Sequence, residues 1–100
     1  MRPIHAVRLD KVRPAVILTR EVVLPHVSRW TVAPVTTRVR GLSTEVAVGP
    51  RNGLDHDGVV SCDNVVTVHV DDVGRLLGYL LPDQEARLSA AMLAAFDLEA

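Results

Sequence analysis

The chain has a single cysteine, Cys62, among its 100 residues. No internal disulfide can form, and a cysteine-rich zinc module is excluded. A reducing compartment, by default the cytoplasm, is the expected setting. Phe, Trp and Tyr occur once each, so a nucleic-acid surface made of stacked aromatic rows is not available: Trp30 stands alone and Tyr79 is expected to be packed. No apolar run approaches the roughly 18 residues of a membrane span. The opening MRPIHAVRLDK places charges where a signal peptide would carry its apolar stretch, so neither a membrane nor a secretory destination is expected. No Gly-rich run or Gly-Lys-Ser/Thr offers a phosphate loop.

Valine is what the chain does have, at 18 positions. Its branched side chain is stiff and fits a pleated surface, which tilts the composition towards sheet. With 48% hydrophobic and 23% charged residues, one globular domain over 1–100 is expected, large enough for one modest core. The net charge of −1 hides an asymmetry. Residues 1–51 carry nine basic against three acidic side chains, net +6, and residues 52–100 carry two against nine, net −7. Arg outnumbers Lys ten to one. A basic first half rich in guanidinium forks suits a polyanion, although a solvated surface would explain it equally.

Alternation predicts a short strand over Ile4–Leu9 and a second over Arg13–Arg20, with Arg13, Ala15, Ile17 and Thr19 on one face and Pro14, Val16 and Leu18 on the other. Trp30–Thr37 reads as a third strand, placed at an edge or a bulge because Pro34 lacks a ladder donor. Thr44–Val48 is a fourth. Val59–Val70 is one long strand, or two broken near Asn64, with Val60, Cys62, Val66, Val68 and Val70 on its apolar side. Arg75–Leu81 is a further short strand. Pro82–Leu98 is the one helix, with Leu88, Met92, Ala95 and Phe96 on its core face. Short strands followed by one helix predict a small, strongly bent sheet or barrel with a helix packed on it.

Little in this pattern carries obvious chemistry. Asp55, His56 and Asp57 have turn composition rather than metal-loop spacing, and no metal or other cofactor is expected. Cys62 sits among valines with nothing to lower its pKa. Arg13 opens one strand and Thr36 closes another. If the two strands are antiparallel neighbours, a guanidinium and a hydroxyl converge as a phosphate-binding pair; taken alone, the spacing favours the plainer alternative of a rim arginine and a strand-end threonine that are both solvated.

These segments together resemble the MazF/PemK family of endoribonuclease toxins. VRPAVIL at 12–18 is similar to the family's Arg-Pro strand, and VAPVTT at 32–37 to the strand that ends in Thr or Ser. VVSCDNVVTV at 59–68 is similar to its long strand with an acid–amide pair, and RLLGYL followed by a helix completes the order. The resemblance implies a mainly β fold, an SH3-like barrel with a C-terminal helix, assembled as a homodimer. It implies Arg13 and Thr36 as catalytic residues, and metal-independent cleavage of single-stranded RNA through 2′-hydroxyl attack. Asp63 and Asn64 match the acid–amide pair beside the groove. Thr37, Arg38, Arg40 and Ser61 are the further candidates for RNA contact, with Ser43 and His69 as weaker base readers. A cognate acidic antitoxin is the implied partner. The family's long loop before the Arg-Pro strand is reduced here to Asp10-Lys11-Val12. The alternatives are a non-catalytic toxin of the same fold that acts on a protein such as DNA gyrase, as CcdB does, and an RNA-binding module without activity.

Overall fold

The valine-rich stretches become strands in a computed structural model that describes residues 1–99. The order is β1 (Pro3–Arg8), β2 (Val12–Ile17), β3 (Arg29–Thr36), β4 (Glu45–Val48), β5 (Gly58–Ser61), β6 (Val66–His69), β7 (Val73–Tyr79) and α1 (Pro82–Ala95). All pairings are antiparallel, in the order β4-β5-β3-β2-β1-β7, with β6 also paired to β3. The sheet bends into the SH3-like barrel expected from the sequence, and α1 packs on it.

Pro34 does not mark an edge. β3 is the most heavily paired strand, bonded to β2, β5 and β6. Its Arg29–Val32 stretch pairs with β6, its Val35–Thr36 stretch pairs with β5, and Pro34 falls in the gap between them. A residue without an N–H costs least where one partner strand has ended and the next has not begun. The break expected near Asn64 is the 3-10 turn Cys62–Asn64, which separates β5 from β6 and lets each meet a different part of β3.

Alternation along β2 feeds two cores. Val16 joins Ile4, Val46, Val60, Leu80 and Leu88 on the side covered by α1. Ala15 and Ile17 join Val7, Val32 and Val68 on the other side, under Trp30 and Leu24. Each fully buried valine contributes on the order of 1.5–3 kcal/mol over an exposed one. Val66, expected in the core, is 40% exposed, because the turn before it resets the alternation. Phe96 is likewise outside the core at 53% exposure. The helix ends at Ala95, and Asp97 adopts a positive φ of 53°.

The buried helix residue that hydropathy overlooks is Gln84. Its Nε2 donates to the Ala47 carbonyl (3.1 Å) and to Asn52 Oδ1 (3.0 Å), while its Oε1 accepts from Asn52 Nδ2 (2.5 Å) and the Leu81 N–H (2.9 Å). Asn52 also donates to the Tyr79 carbonyl and accepts the Gly49 N–H. This reciprocal amide pair ties the start of α1 to β4 and β7 with its polar atoms satisfied. Among the described residues no helix is long and apolar enough to cross a membrane.

Candidate functional site

The β2–β3 register runs Ile17↔Val32, Val16↔Ala33, Ala15↔Pro34. Continued by two residues within the same strands, it sets Arg13 opposite Thr36. The two residues that the sequence placed at a strand start and a strand end are therefore brought together. Both border two cavities, of about 580 and 430 Å3, and stand on the wall between them.

Thr36 is half-buried, and its Oγ1 accepts the Arg38 N–H at 3.1 Å. A hydroxyl that accepts in this way keeps its own proton free to donate. Thr36 is held in place from behind by β5: a Cβ on Gly58 would lie 2.6 Å from the Thr36 carbonyl oxygen, so only glycine lets the two strands come this close.

Arg13 is engaged by a residue the sequence reading did not single out for this work. Its Nε and a terminal nitrogen donate to the two carboxylate oxygens of Asp10, at 2.8 and 3.0 Å. Asp10 lies in the three-residue connection whose shortness the sequence shows, and that shortness brings its carboxylate back onto the guanidinium. The pairing holds the Asp10 carboxyl far below the ordinary carboxylate range and raises Arg13 above its usual value, each mainly through this hydrogen bond. Arg13 is therefore a fixed cation, and Asp10 is a permanent acceptor near neutral pH.

The larger cavity is lined by Arg8, Arg13, Arg38 and Arg40 against Asp10 and Glu45. Glu45 shapes the loop that carries two of these cations. Its Oε1 accepts the N–H groups of Arg40 and Leu42, each at 3.1 Å. Ser61 and Asn64 also border this cavity, joined by an Asn64 Nδ2 to Ser61 Oγ bond of 2.7 Å. Asp63 borders neither cavity, and its carboxylate accepts the Thr44 hydroxyl at 2.6 Å. Thr37 borders the smaller cavity. Ser43 borders neither, nor does His69, whose Nδ1 accepts the Asp71 N–H. The signal for Glu45 was present only as an acid within a basic run, and nothing local distinguished it.

Cys62 is buried, and desolvation pushes its thiol up to about 11. It is a packed hydrophobe at neutral pH. Among the described residues no three His, Cys, Asp or Glu side chains converge on one point.

The molecule is thus a small, bent antiparallel sheet that places a fixed guanidinium and a hydroxyl at the edge of a groove bordered by four arginines. The chain belongs to the family described as the PemK-like, MazF-like toxin of type II toxin-antitoxin systems, which it matches over residues 4–96. It is 60% identical over 99 residues to endoribonuclease MazF3 of Mycobacterium tuberculosis, covering 99% of this chain and 96% of that one. The solved structure of M. tuberculosis toxin MazF-mt6 superposes with a TM-score of 0.97 at 58% identity, over 99% of this chain and all of the other. A mycobacterial endoribonuclease in complex with its cognate antitoxin superposes with a TM-score of 0.87 at 26% identity, over 98% and 94% of the two chains.

Proposed function

We propose that this endoribonuclease toxin cuts single-stranded RNA without a metal ion, at the linkage held between Arg13 and Thr36. The observation that carries the reading is that both residues border the same two cavities, just beyond the last pair of the β2–β3 ladder. The RNA's own 2′-oxygen forms a bond to the adjacent phosphorus as the bond from phosphorus to the 5′-oxygen breaks. The 2′-hydroxyl proton leaves to water, and the departing 5′-oxygen takes one from water. The products are a 2′,3′-cyclic phosphate and a 5′-hydroxyl. No protein nucleophile is required, which agrees with a buried and protonated Cys62.

The protein's contribution is alignment of the attack and stabilisation of charge on the phosphoryl oxygens. Arg13 supplies the cation and a fork of donors. Thr36 supplies one oriented O–H. Arg13 does not act as a base, because its partner makes a neutral guanidine scarcer still. Arg38, Arg40, Ser61 and Asn64 contact RNA in the larger cavity, and Thr37 does so in the smaller. Asp63 acts by supporting the turn that presents Asn64. DNA lacks the 2′-hydroxyl and binds uncut. The chain works in the cytoplasm as a homodimer, and an acidic segment of its antitoxin covers the arginine-lined groove. The gyrase-poison alternative leaves the Arg13–Thr36 pair without work.

Purified protein on a long unstructured RNA, with chelator present, is expected to give discrete cuts with 5′-hydroxyl ends. Arg13→Ala is expected to lower the rate on the order of 100–1,000-fold. Full activity in that variant would remove the assignment.

A further inference from the structure

Asparagine occurs at two positions, Asn52 and Asn64. The carboxamide of an asparagine is open to attack by the backbone nitrogen of the residue that follows. Glycine there leaves the nitrogen uncrowded and the backbone free to turn, whereas a β-branched residue shields it. Asn52 precedes Gly53, and Asn64 precedes Val65. The more vulnerable of the two is also the more firmly held. Asn52 is 2% exposed. Its Oδ1 accepts the Gly49 N–H and Gln84 Nε2, both at 3.0 Å, and its Nδ2 donates to the Tyr79 carbonyl and to Gln84 Oε1. Every hydrogen-bonding position of the carboxamide is thus in use. The attacking atom is engaged as well, since the Gly53 N–H donates to the Pro50 carbonyl at 3.0 Å. The side chain cannot swing towards that nitrogen without leaving buried donors and acceptors unpaired. The backbone is equally confined. A Cβ on Gly78 would run into the Asn52 carbonyl oxygen, and one on Gly53 into the Leu77 carbonyl oxygen.

We propose that Asn52–Gly53 is a modification site guarded by the fold: the unfolded chain deamidates there and loses the ability to fold again, while the folded chain is protected. The Gly53 nitrogen gives its proton to water and bonds to Asn52 Cγ. The Cγ–Nδ2 bond breaks, Nδ2 takes a proton and leaves as ammonia, and a succinimide ring remains. Water opens the ring at Cγ to give aspartate, or at the backbone carbonyl to give isoaspartate. Neither product fits the native site. A carboxylate would set an oxygen against the Tyr79 carbonyl and Gln84 Oε1, with a charge buried between them. Turning the Gln84 amide over would pass the conflict to the Ala47 carbonyl and the Leu81 N–H. Isoaspartate inserts a further backbone carbon where the neighbouring chain leaves room only for glycine. Unfolding becomes one-way, and the time for which an unfolded toxin chain stays recoverable is set by this dipeptide.

The test holds the full chain either folded in buffer or unfolded in guanidinium chloride, at one temperature and pH. Mass spectrometry with fragmentation locates each deamidated residue, and Trp30 fluorescence after dilution reads refolding. In the unfolded chain Asn52 should convert ahead of Asn64, and on the order of 100-fold faster than in the folded chain, the factor for leaving about two buried groups unpaired. The refolding fraction should fall in step with intact Asn52. Asn52→Asp should fail to fold under conditions where Asn64→Asp folds. Gln84→Ala, which frees one side of the carboxamide, should speed conversion in the folded protein beyond Val60→Ala compared at equal stability. Equal conversion in folded and unfolded chains, refolding that is indifferent to the state of Asn52, or an Asn52→Asp protein with the wild-type urea midpoint overturns the proposal. Equal conversion in Gln84→Ala and Val60→Ala overturns it too, because global stability rather than the amide pair would then be the guard.

Discussion

A single carboxylate decides how Arg13 meets its surroundings. Asp10 takes one edge of the guanidinium fork, through Nε and one terminal nitrogen, so a phosphate that reaches the remaining donors meets a second anion beside it. Asp10→Asn is therefore expected to bind uncut RNA more tightly at low salt, as read by filter binding with a 2′-deoxy linkage at the cut. The pair also has a pH signature. The Asp10 carboxyl is depressed in the folded state, so its contribution to folding is fully present above the unfolded value near 4 and is lost as pH falls through the lower folded one. Acid unfolding curves of wild type and Asp10→Asn should differ in shape only below about pH 4, and an NMR titration should return Asp10 to the ordinary range in Arg13→Ala. Cys62 runs the other way. Its raised value keeps the thiol neutral, and its contribution is lost as pH climbs from 9.0 towards 11.

Elements in this fold are joined by polar contacts that hydropathy does not show. The Gln84–Asn52 pair is the only buried amide couple among the described residues, and it fastens α1 to the sheet. Gln84→Ala would leave buried groups on Asn52, Ala47 and Leu81 without that partner. It is expected to cost about 3 kcal/mol, seen as a lower urea midpoint at unchanged slope. A double cycle with Asn52→Ala should show coupling between the two. The strands themselves were legible because alternation of valine with polar residues has the period of a pleat. The helix was legible from Leu88 and its neighbours. β3 was misread because a proline signals a missing donor but not how many strands share the chain. Its three partners come from 12–17, 58–61 and 66–69, and no local window contains them. The site divides along the same line. Arg13 and Thr36 could be paired from strand ends alone, whereas Glu45 and the clasp of Asp10 depend on loop geometry that spacing does not encode.

For the molecule as a whole, the basic excess of the first 51 residues becomes a groove. Arg8, Arg13, Arg38 and Arg40 are 32 residues apart at the extremes and border one cavity. Single-stranded RNA that displaces a counterion at each of them should lose affinity with salt at a logarithmic slope of about −3, roughly 0.7 per phosphate. Arg38→Ala and Arg40→Ala should each flatten the slope by about 0.7 and weaken binding of all sequences alike, measured by titration between 50 and 200 mM salt. A slope near zero would show that the charge gathered here serves another purpose.

The triple pairing of β3 also sets a schedule. The strand that carries Thr36 closes on β2, made before it, but its other neighbours emerge from the ribosome only after residue 58. Domains generally fold as units, so a nascent chain holds its Arg and Thr long before it holds a cleft whose lining runs on to Val68.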